Sequence, residues 1–231
     1  MSIQLIQVAS GNAGKLGEIM LGVELWRRQK LLRLDATIEL LPGFALLPKC
    51  IEDAASYAGN ARKKALHYFQ HSAQHLGRHA PLAWLAQSGP APWVLADDSG
   101  LVVDALAGAP GVYSARYAGP NATDADNNQK LLRELTGVPP ERRTARFVCA
   151  LALAAGDAII AEFSGTAEGR IITAGNSGDA PRGAHGFGYD PLFLDAAHSK
   201  TYAELTAEEK LQRSHRGHAL FALLDWLAQR G

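Results

Sequence analysis

The chain has 231 residues, of which 47% are hydrophobic, and this is enough to bury one sizeable core. Its 23 basic residues balance 23 acidic ones, so no global field attracts nucleic acid or an anionic membrane, and we expect neither as a partner. No apolar run approaches the roughly 18 residues that span a bilayer, and the amino terminus lacks signal-peptide features. The two cysteines, Cys50 and Cys149, lie among apolar neighbours, which predicts buried thiols in a cytoplasmic protein and no disulfide scaffold.

The first third of the chain alternates between strand and helix patterns. Residues 3–9 alternate as a strand, a glycine-rich turn follows, and residues 16–29 have an approximately helical period. A second helix is predicted over about 57–71. Residues 72–93, rich in Ala, His, Gly and Pro, are predicted to form a surface insertion. The alternation indicates an α/β protein, which we assign to one domain over 1–231.

The rest of the chain carries clear boundary signals. Strands are expected at 93–96 and 99–106, on either side of Asp97 and Asp98, and a long loop follows. A helix within 123–137 has Thr123 and Asp126 as a capping pair.

The last third contains paired strands and a helical end. Strands over 145–155 and 158–172 are joined by a hairpin-like turn at Gly156. A capping box at Thr206 and a final helix after Ser214 complete the prediction.

The turn between the first strand and the first helix is a natural anion site. A helix amino terminus exposes free N–H groups and the positive end of the helix dipole, and a lysine there suits phosphate. The spacing matches neither the P-loop nor the dinucleotide fingerprint, so a purely structural turn stays open. The candidate phosphate-binding residues are Ser10, Gly11, Asn12, Ala13, Gly14 and Lys15.

The pair Asp97 and Asp98 interrupts an apolar stretch at what the pattern predicts to be a strand end. Adjacent strand residues point to opposite faces, so one carboxylate can enter a cleft while the other braces the chain. Magnesium prefers oxygen ligands, and Glu52 is a further candidate for a shared site. A turn stabilised by side-chain-to-backbone hydrogen bonds is the alternative.

Two later segments are candidates for binding a nucleotide. A glycine-rich loop over 181–193 offers aromatic faces and backbone hydrogen bonds, although a plain connection would look similar. Cations near the predicted start of the last helix oppose the helix dipole unless an anion binds there; a solvated basic face is the alternative. The candidate residues are Phe187, Gly188, Tyr189, Asp190, Lys210, His215 and Arg216.

Five segments, in this order along nearly the whole chain, resemble the inosine triphosphate pyrophosphatase family of non-standard purine nucleoside triphosphate pyrophosphatases. They are SGNAGKLGE, GNARKKA, LADDSGLVVDALAGAPGVYSARYAG, GFGYDPLF and ELTAEEKLQRSHRGHAL. The resemblance implies an elongated single α/β domain of ITPase-like (Maf-like, anticodon-binding-like) architecture, with a central mixed β-sheet flanked by helices. It also implies a homodimer that uses Mg²⁺ to hydrolyse ITP, dITP and XTP to the monophosphate and pyrophosphate.

The resemblance also implies roles for particular residues. The segment 10–15 would hold the triphosphate, and Ser99 would contact the substrate. Glu52 and Asp98 would bind Mg²⁺, and Asp98 would act as the base for the attacking water. Residues 187–190 and Lys210 would bind the nucleotide. His215 and Arg216 would do so near the oxygen at position six of the purine.

Three features depart from the family pattern. Gly59 stands before Asn60 where the family often has glutamate, so a supporting acid is absent there. Glu52 lies in IEDAASY rather than in a clear Glu-Thr-Gly segment, which weakens its assignment as a metal ligand. The 72–93 segment is also longer than usual.

Two other functions were compared with this hypothesis. Aspartyl-phosphate phosphatases need Asp-x-Asp-x-Thr, and Asp97-Asp98-Ser99 lacks that spacing. A nucleotide sensor without catalysis would have the same loops, and an activity assay separates it from the enzyme.

Overall fold

The computed structural model describes residues 3–30, 34–79, 91–172 and 181–230. Within these ranges six strands form one sheet in the order β2-β1-β3-β4-β5-β6. The strands are β1 Gln4–Val8, β2 Ala36–Leu40, β3 Trp93–Val103, β4 Thr144–Ala155, β5 Ala158–Ile171 and β6 Phe193–Asp195. The α-helices are α1 Ala13–Lys30, α2 Tyr57–His79, α3 Asp124–Glu134, α4 Ala207–Leu211 and α5 His215–Ala228.

The sheet is mixed, as the family resemblance implies. Strand β1 runs parallel to β2 and to β3, whereas β5 and β6 are antiparallel. Two parallel strands need a crossover between them, and α1 supplies it between β1 and β2. The α/β class with a central mixed sheet is therefore confirmed.

Chain contacts divide the molecule into two compact units. The first comprises 1–98, 150–164 and 219–231, and the second comprises 99–149 and 165–218. The first unit has a core rich in small residues, in which Ala61 and Ala65 of α2 pack with alanines of β3 and β4. The second has a core of larger side chains, including Leu131, Phe147 and Phe193. The assignment of the whole chain to one domain stays a prediction.

Several local predictions are confirmed. Thr123 and Asp126 form a reciprocal capping box at α3, and Thr206 does the same with Glu209 at α4. Gly156 has a left-handed φ of 67° in the turn between β4 and β5. The apolar stripe of the last helix is buried, at Leu220, Leu223, Leu224 and Leu227.

Other predictions are wrong in ways that matter for the site. Strand β3 runs without interruption from Trp93 to Val103, so Asp97 and Asp98 lie inside a strand and not at its end. Helix α1 begins at Ala13, three residues before the apolar period starts. Strands β2 and β6 are short and were not anticipated.

The predicted insertion and thiols are also revised. Residues 72–79, at the start of the predicted insertion over 72–93, instead continue helix α2. Residues 80–90 lie outside the described part of the chain. Cys149 is buried as expected, but Cys50 is only half-buried, and neither cysteine forms a disulfide. No helix among the described residues is long and apolar enough to cross a membrane.

Candidate active site

The turn at 10–15 is built as a helix cap. Asn12 Oδ1 accepts from the Lys15 N–H at 3.0 Å, and Ser10 Oγ accepts from the Asn12 N–H at 3.3 Å. Asn12 is therefore the N-cap of α1, which is a favoured role for asparagine. In this state the two polar side chains, predicted to bind the ligand, hold the turn in shape. Ala13 and Gly14 occupy the first helical positions, where backbone N–H groups lack intrahelical partners.

Lys15 lies beside the first of the paired aspartates. Its Nζ is 2.9 Å from Asp97 Oδ2, and the Asp97 side chain is almost fully buried. The ammonium group that the sequence assigns to phosphate thus has a carboxylate partner within the protein. Asp97 fixes the position of the Lys15 head group.

Strand β1 ends before its neighbour β3 reaches the paired aspartates. The last paired residues of β1 and β3 are Val8 and Leu95, three residues before Asp98. Beyond that point β1 gives way to the 10–15 turn, while β3 continues. The edge that the sequence attributed to the end of β3 is therefore the end of β1.

Asp98 is surrounded by polar groups from α2 and from the segment before it. Its Oδ2 accepts from Asn60 Nδ2 at 3.0 Å, and its Oδ1 lies 3.4 Å from Lys64 Nζ. The same Lys64 Nζ lies 3.0 Å from Glu52 Oε2. Lys64 thus links the two carboxylates that the sequence proposes as metal ligands.

Burial and charge act in opposite directions at this cluster. Burial raises the pKa of Asp98, and the charge of Lys64 and the Asn60 hydrogen bond only partly offset that rise. Burial disfavours the Lys64 ammonium, but the carboxylates of Asp97, Asp98 and Glu52 outweigh it and raise the pKa of Lys64. Lys64 consequently stays charged, while the pKa of Asp98 lies above its ordinary value because burial outweighs its partners.

The donor set fits a magnesium ion that is shared with a substrate. Among the described residues no three His, Cys, Asp or Glu side chains group together as a metal site. Magnesium usually takes only one or two carboxylates and completes its shell with phosphate oxygens and water. Glu52 and Asp98 already share one cation, the Lys64 ammonium, so their oxygens face a common position.

Sequence reasoning missed Asn60 and Lys64 as site residues. Both lie in the GNARKKA segment, four residues apart and so on one face of α2. That face otherwise carries Ala61, Ala65 and Tyr68, all buried. The signal that could have identified Lys64 is a lysine on an otherwise apolar helix face. A lysine buried there needs a charged or polar partner.

Gly59 occupies the position where the resemblance leads us to expect a glutamate. A Cβ atom there would come 2.8 Å from Ala54 Cβ and 3.2 Å from Ser56 Oγ. The Ala54 N–H in turn donates to Asn60 Oδ1 at 2.9 Å. The 54–56 segment fills the space of a side chain at position 59, and Asn60 ties that segment to Asp98.

The second unit holds a separate cluster centred on Asp190. Asp190 Oδ2 is 2.5 Å from Lys210 Nζ and accepts from the Phe187 N–H at 2.8 Å. Lys210 Nζ lies 4.7 Å from the centroid of the Phe187 ring. Tyr189 is buried, and its hydroxyl donates to the Ser114 carbonyl at 2.8 Å. Of the segment 187–190, the half-buried Phe187 ring is the aromatic face available to a ligand.

The start of α5 brings three predicted residues together. Arg216 Nη2 donates to Ser99 Oγ at 2.8 Å, and the Arg216 guanidinium carbon lies 5.7 Å from the Phe187 ring centroid. His215 stacks on Phe147, with ring centroids 4.7 Å apart. Both side chains are buried, with Arg216 only 1% exposed. They do not form the solvated basic face that was the alternative.

Gly217 permits this arrangement. A Cβ atom at position 217 would come 1.7 Å from the Leu211 carbonyl oxygen, so only glycine fits. The Gly217 N–H donates to Ser214 Oγ at 3.1 Å, which caps the helix directly before His215 and Arg216. The Ser-His-Arg-Gly order therefore has a structural reason at its first and last residues.

The free N–H groups at the start of α1, beside the Lys15 ammonium, are groups that suit an anion such as phosphate in an α/β protein. A model of the Ham1 family matches residues 6–226. The chain belongs to the Ham1 family.

Individual relatives agree over almost the full length. The chain is 42% identical over 237 residues to a dITP/XTP pyrophosphatase of Syntrophobacter fumaroxidans, covering 100% of this chain and 88% of the relative. It is 44% identical over 224 residues to a dITP/XTP pyrophosphatase of Geobacter sulfurreducens, covering 97% and 96%. The HAM1 protein of Coxiella burnetii superposes with a TM-score of 0.74 at 35% identity, covering 98% of this chain and 99% of the other. These matches confirm the family that the sequence motifs indicated.

Proposed function

We propose that the protein hydrolyses non-canonical purine nucleoside triphosphates, namely ITP, dITP and XTP, to the monophosphate and pyrophosphate, and so removes them from the nucleotide pool. The observation that carries the proposal is Asp98, buried against Asn60 and joined through Lys64 to Glu52. The full-length relatives named dITP/XTP pyrophosphatases support the choice of substrate.

In the proposed reaction Asp98 takes a proton from a water molecule while the oxygen of that water attacks the α-phosphorus. The bond between the α- and β-phosphates breaks, and pyrophosphate leaves with the electron pair. Such general-base help contributes about 10²–10⁴ in rate. Lys15 and the first N–H groups of α1 offset charge on the phosphate oxygens.

Magnesium is part of the proposal, with Glu52 and Asp98 as its protein ligands. When bound, the ion would supply charge neutralisation and polarisation of phosphoryl oxygens. Lys64 Nζ lies 3.0 Å from Glu52 Oε2 and 3.4 Å from Asp98 Oδ1, so it holds the two carboxylates near each other.

The purine base of the substrate would be selected by Phe187, His215 and Arg216, here called the Phe187 cluster. ITP and XTP carry an oxygen at purine position six where ATP carries an amino group, and Arg216 and His215 can both donate a hydrogen bond to it. The Phe187 ring, whose centroid lies 5.7 Å from the Arg216 guanidinium carbon, would stack on the purine. Lys210 and Ser99, which contact the same cluster, would support binding.

The direct test is release of pyrophosphate from a panel of nucleoside triphosphates by the purified protein. We expect ITP, dITP and XTP to be hydrolysed with a kcat/KM on the order of 10²-fold or more above that for ATP, because a buried donor facing an amino group is costly. Tight binding of these nucleotides without turnover would favour the sensor hypothesis instead.

Activity is expected to depend on a divalent ion. Extensive chelation should reduce ITP hydrolysis to near background, and added Mg²⁺ should restore it, because two carboxylates and a triphosphate otherwise repel one another. Undiminished turnover in the chelated protein would contradict the assignment of Glu52 and Asp98.

Assembly and location are also proposals. We propose a cytoplasmic homodimer that acts on free nucleotides without nucleic-acid or membrane partners, consistent with the net formal charge of zero. Light scattering coupled to size-exclusion chromatography measures the molar mass in solution. The mass of a monomer would contradict the proposed dimer.

A further inference from the structure

Helix α3 holds the backbone of the Phe187 loop through two side chains. Asp124 Oδ2 accepts from the Gly188 N–H at 2.7 Å, and Asn128 Nδ2 donates to the Gly188 carbonyl at 3.0 Å. Residues four apart lie one above the other on a helix face. The N–H and the carbonyl of Gly188 are therefore both hydrogen-bonded to the same face of α3.

The helix face that makes these contacts is itself well fixed. The Thr123 capping box sets where α3 begins, and Asp124 is its first residue. Three residues further along α3, Asn127 accepts from the Ala118 N–H at 2.8 Å and donates to the Ala115 carbonyl at 3.3 Å. Asn128 is 8% exposed. Asp124 and Asn128 thus act from an element with little freedom to move.

The Phe187 ring is consequently fixed from both sides of its residue. On the carboxyl side Gly188 is bound to α3, and the Phe187 N–H itself donates to Asp190, which also binds Lys210. These hydrogen bonds occupy the backbone groups of the loop that the sequence offered for base recognition. The loop therefore presents a positioned ring.

We propose that Asp124 and Asn128 are positioning residues that set the orientation of Phe187 and thereby the affinity for the purine base. Neither residue touches the substrate in this proposal. The inference rests on the proposed function, because it assumes that the ring stacks on the base. It extends the site to α3, which no sequence motif had connected with the nucleotide.

The isosteric variant Asn128→Asp tests this role because it places a carboxylate oxygen opposite the Gly188 carbonyl. We expect the KM for ITP to rise about tenfold with kcat within about twofold, the pattern of lost uniform binding. Inhibition by inorganic tripolyphosphate, which has no base, should be unchanged. A KM for ITP equal to that of the wild type would overturn the proposal. So would a loss of tripolyphosphate inhibition as large as the rise in the KM for ITP.

Asp124 provides a second test at an exposed position where folding is not at risk. Asp124→Ala removes the acceptor and should raise the KM for ITP by about threefold to tenfold. Asp124→Asn removes the charge but keeps an oxygen acceptor, so it should restore most of the affinity. Equal KM values for the two variants would show that the charge at the start of the helix matters and the hydrogen bond does not, which overturns the positioning role.

The wild-type panel separates this inference from the function beneath it. A wild-type protein that hydrolyses no purine nucleoside triphosphate refutes the proposed function and the inference with it. An active wild type with unaffected Asn128→Asp and Asp124→Ala variants refutes the inference alone. Thermal unfolding of each variant verifies that the compared proteins are folded.

Discussion

Replacing Asp98 with asparagine is expected to lower kcat for ITP by about 10³-fold or more, because the amide is neither a general base nor a good magnesium ligand. The side chain keeps its shape, so the fold should be retained. Steady-state pyrophosphate release, with circular dichroism as a check on folding, measures the effect.

The matched control is Asp53→Asn. Asp53 lies next to Glu52, but its side chain is exposed and forms an ion pair with Lys63. We expect its kcat to stay within about twofold of the wild type, since exposed ion pairs contribute little. An Asp98→Asn enzyme that retains a third of wild-type turnover would remove Asp98 from the mechanism.

The Asp98→Asn substitution also has an expected consequence for the free energy of unfolding. Because burial raises the pKa of Asp98 in the folded state, the folded protein holds this proton more tightly than the unfolded chain. The wild type therefore loses stability as pH rises from the ordinary carboxyl range through the folded pKa of Asp98. Denaturant unfolding of the metal-free proteins should show that this loss is absent in Asp98→Asn. Parallel pH profiles of the two proteins would contradict the raised pKa.

Replacing Lys64 with methionine should be the second most damaging change. The variant removes the ammonium group between Glu52 and Asp98 but keeps much of the side-chain volume. We expect kcat/KM for ITP to fall by about 10²–10³-fold, because the carboxylates then repel each other and lose their shared position. Loss of the buried partner should also lower the free energy of unfolding by about 1–3 kcal/mol.

The pH profile distinguishes this role from a purely structural one. Lys64 lowers the pKa of Asp98 against the effect of burial, so its removal should move the acid limb of kcat/KM to higher pH. The neighbouring variant Lys63→Met is the control, because Lys63 is exposed and paired with Asp53. It should leave both the rate and the profile unchanged within error. A Lys64→Met enzyme with wild-type rates would show that the link between the carboxylates is unimportant.

Local signals in the sequence predicted much of the fold. Capping boxes at Thr123 and Thr206 and the turn at Gly156 are confirmed, because each depends on residues within four positions of one another. The apolar period placed the start of α1 three residues too late. There Asn12 caps a first turn of small residues that carries no hydrophobic period.

The candidate site depends on contacts that are distant in the chain. Motif order alone indicated the family that the comparisons confirm, and it proposed Asp98, Lys15 and Arg216 as candidate site residues. It did not show that Asn60 and Lys64 contact Asp98, because those residues are 38 and 34 positions away. Nor did it show that Asp124 and Asn128 bind Gly188, which lies 64 and 60 positions further along.

The amino-acid sequence by itself thus determined the helix caps, the hairpin, the α/β class and the family, since these follow from short-range hydrogen bonding, periodicity and motif order. Only the tertiary structure decided where the edge at Asp98 lies, because that edge arises from the end of β1 and not from any feature of β3. It also decided which cation accompanies each carboxylate: Lys15 pairs with Asp97, and Lys64 with Asp98 and Glu52. Burial makes each of these charges dependent on a nearby partner, and the packing of α1 and α2 supplies those partners.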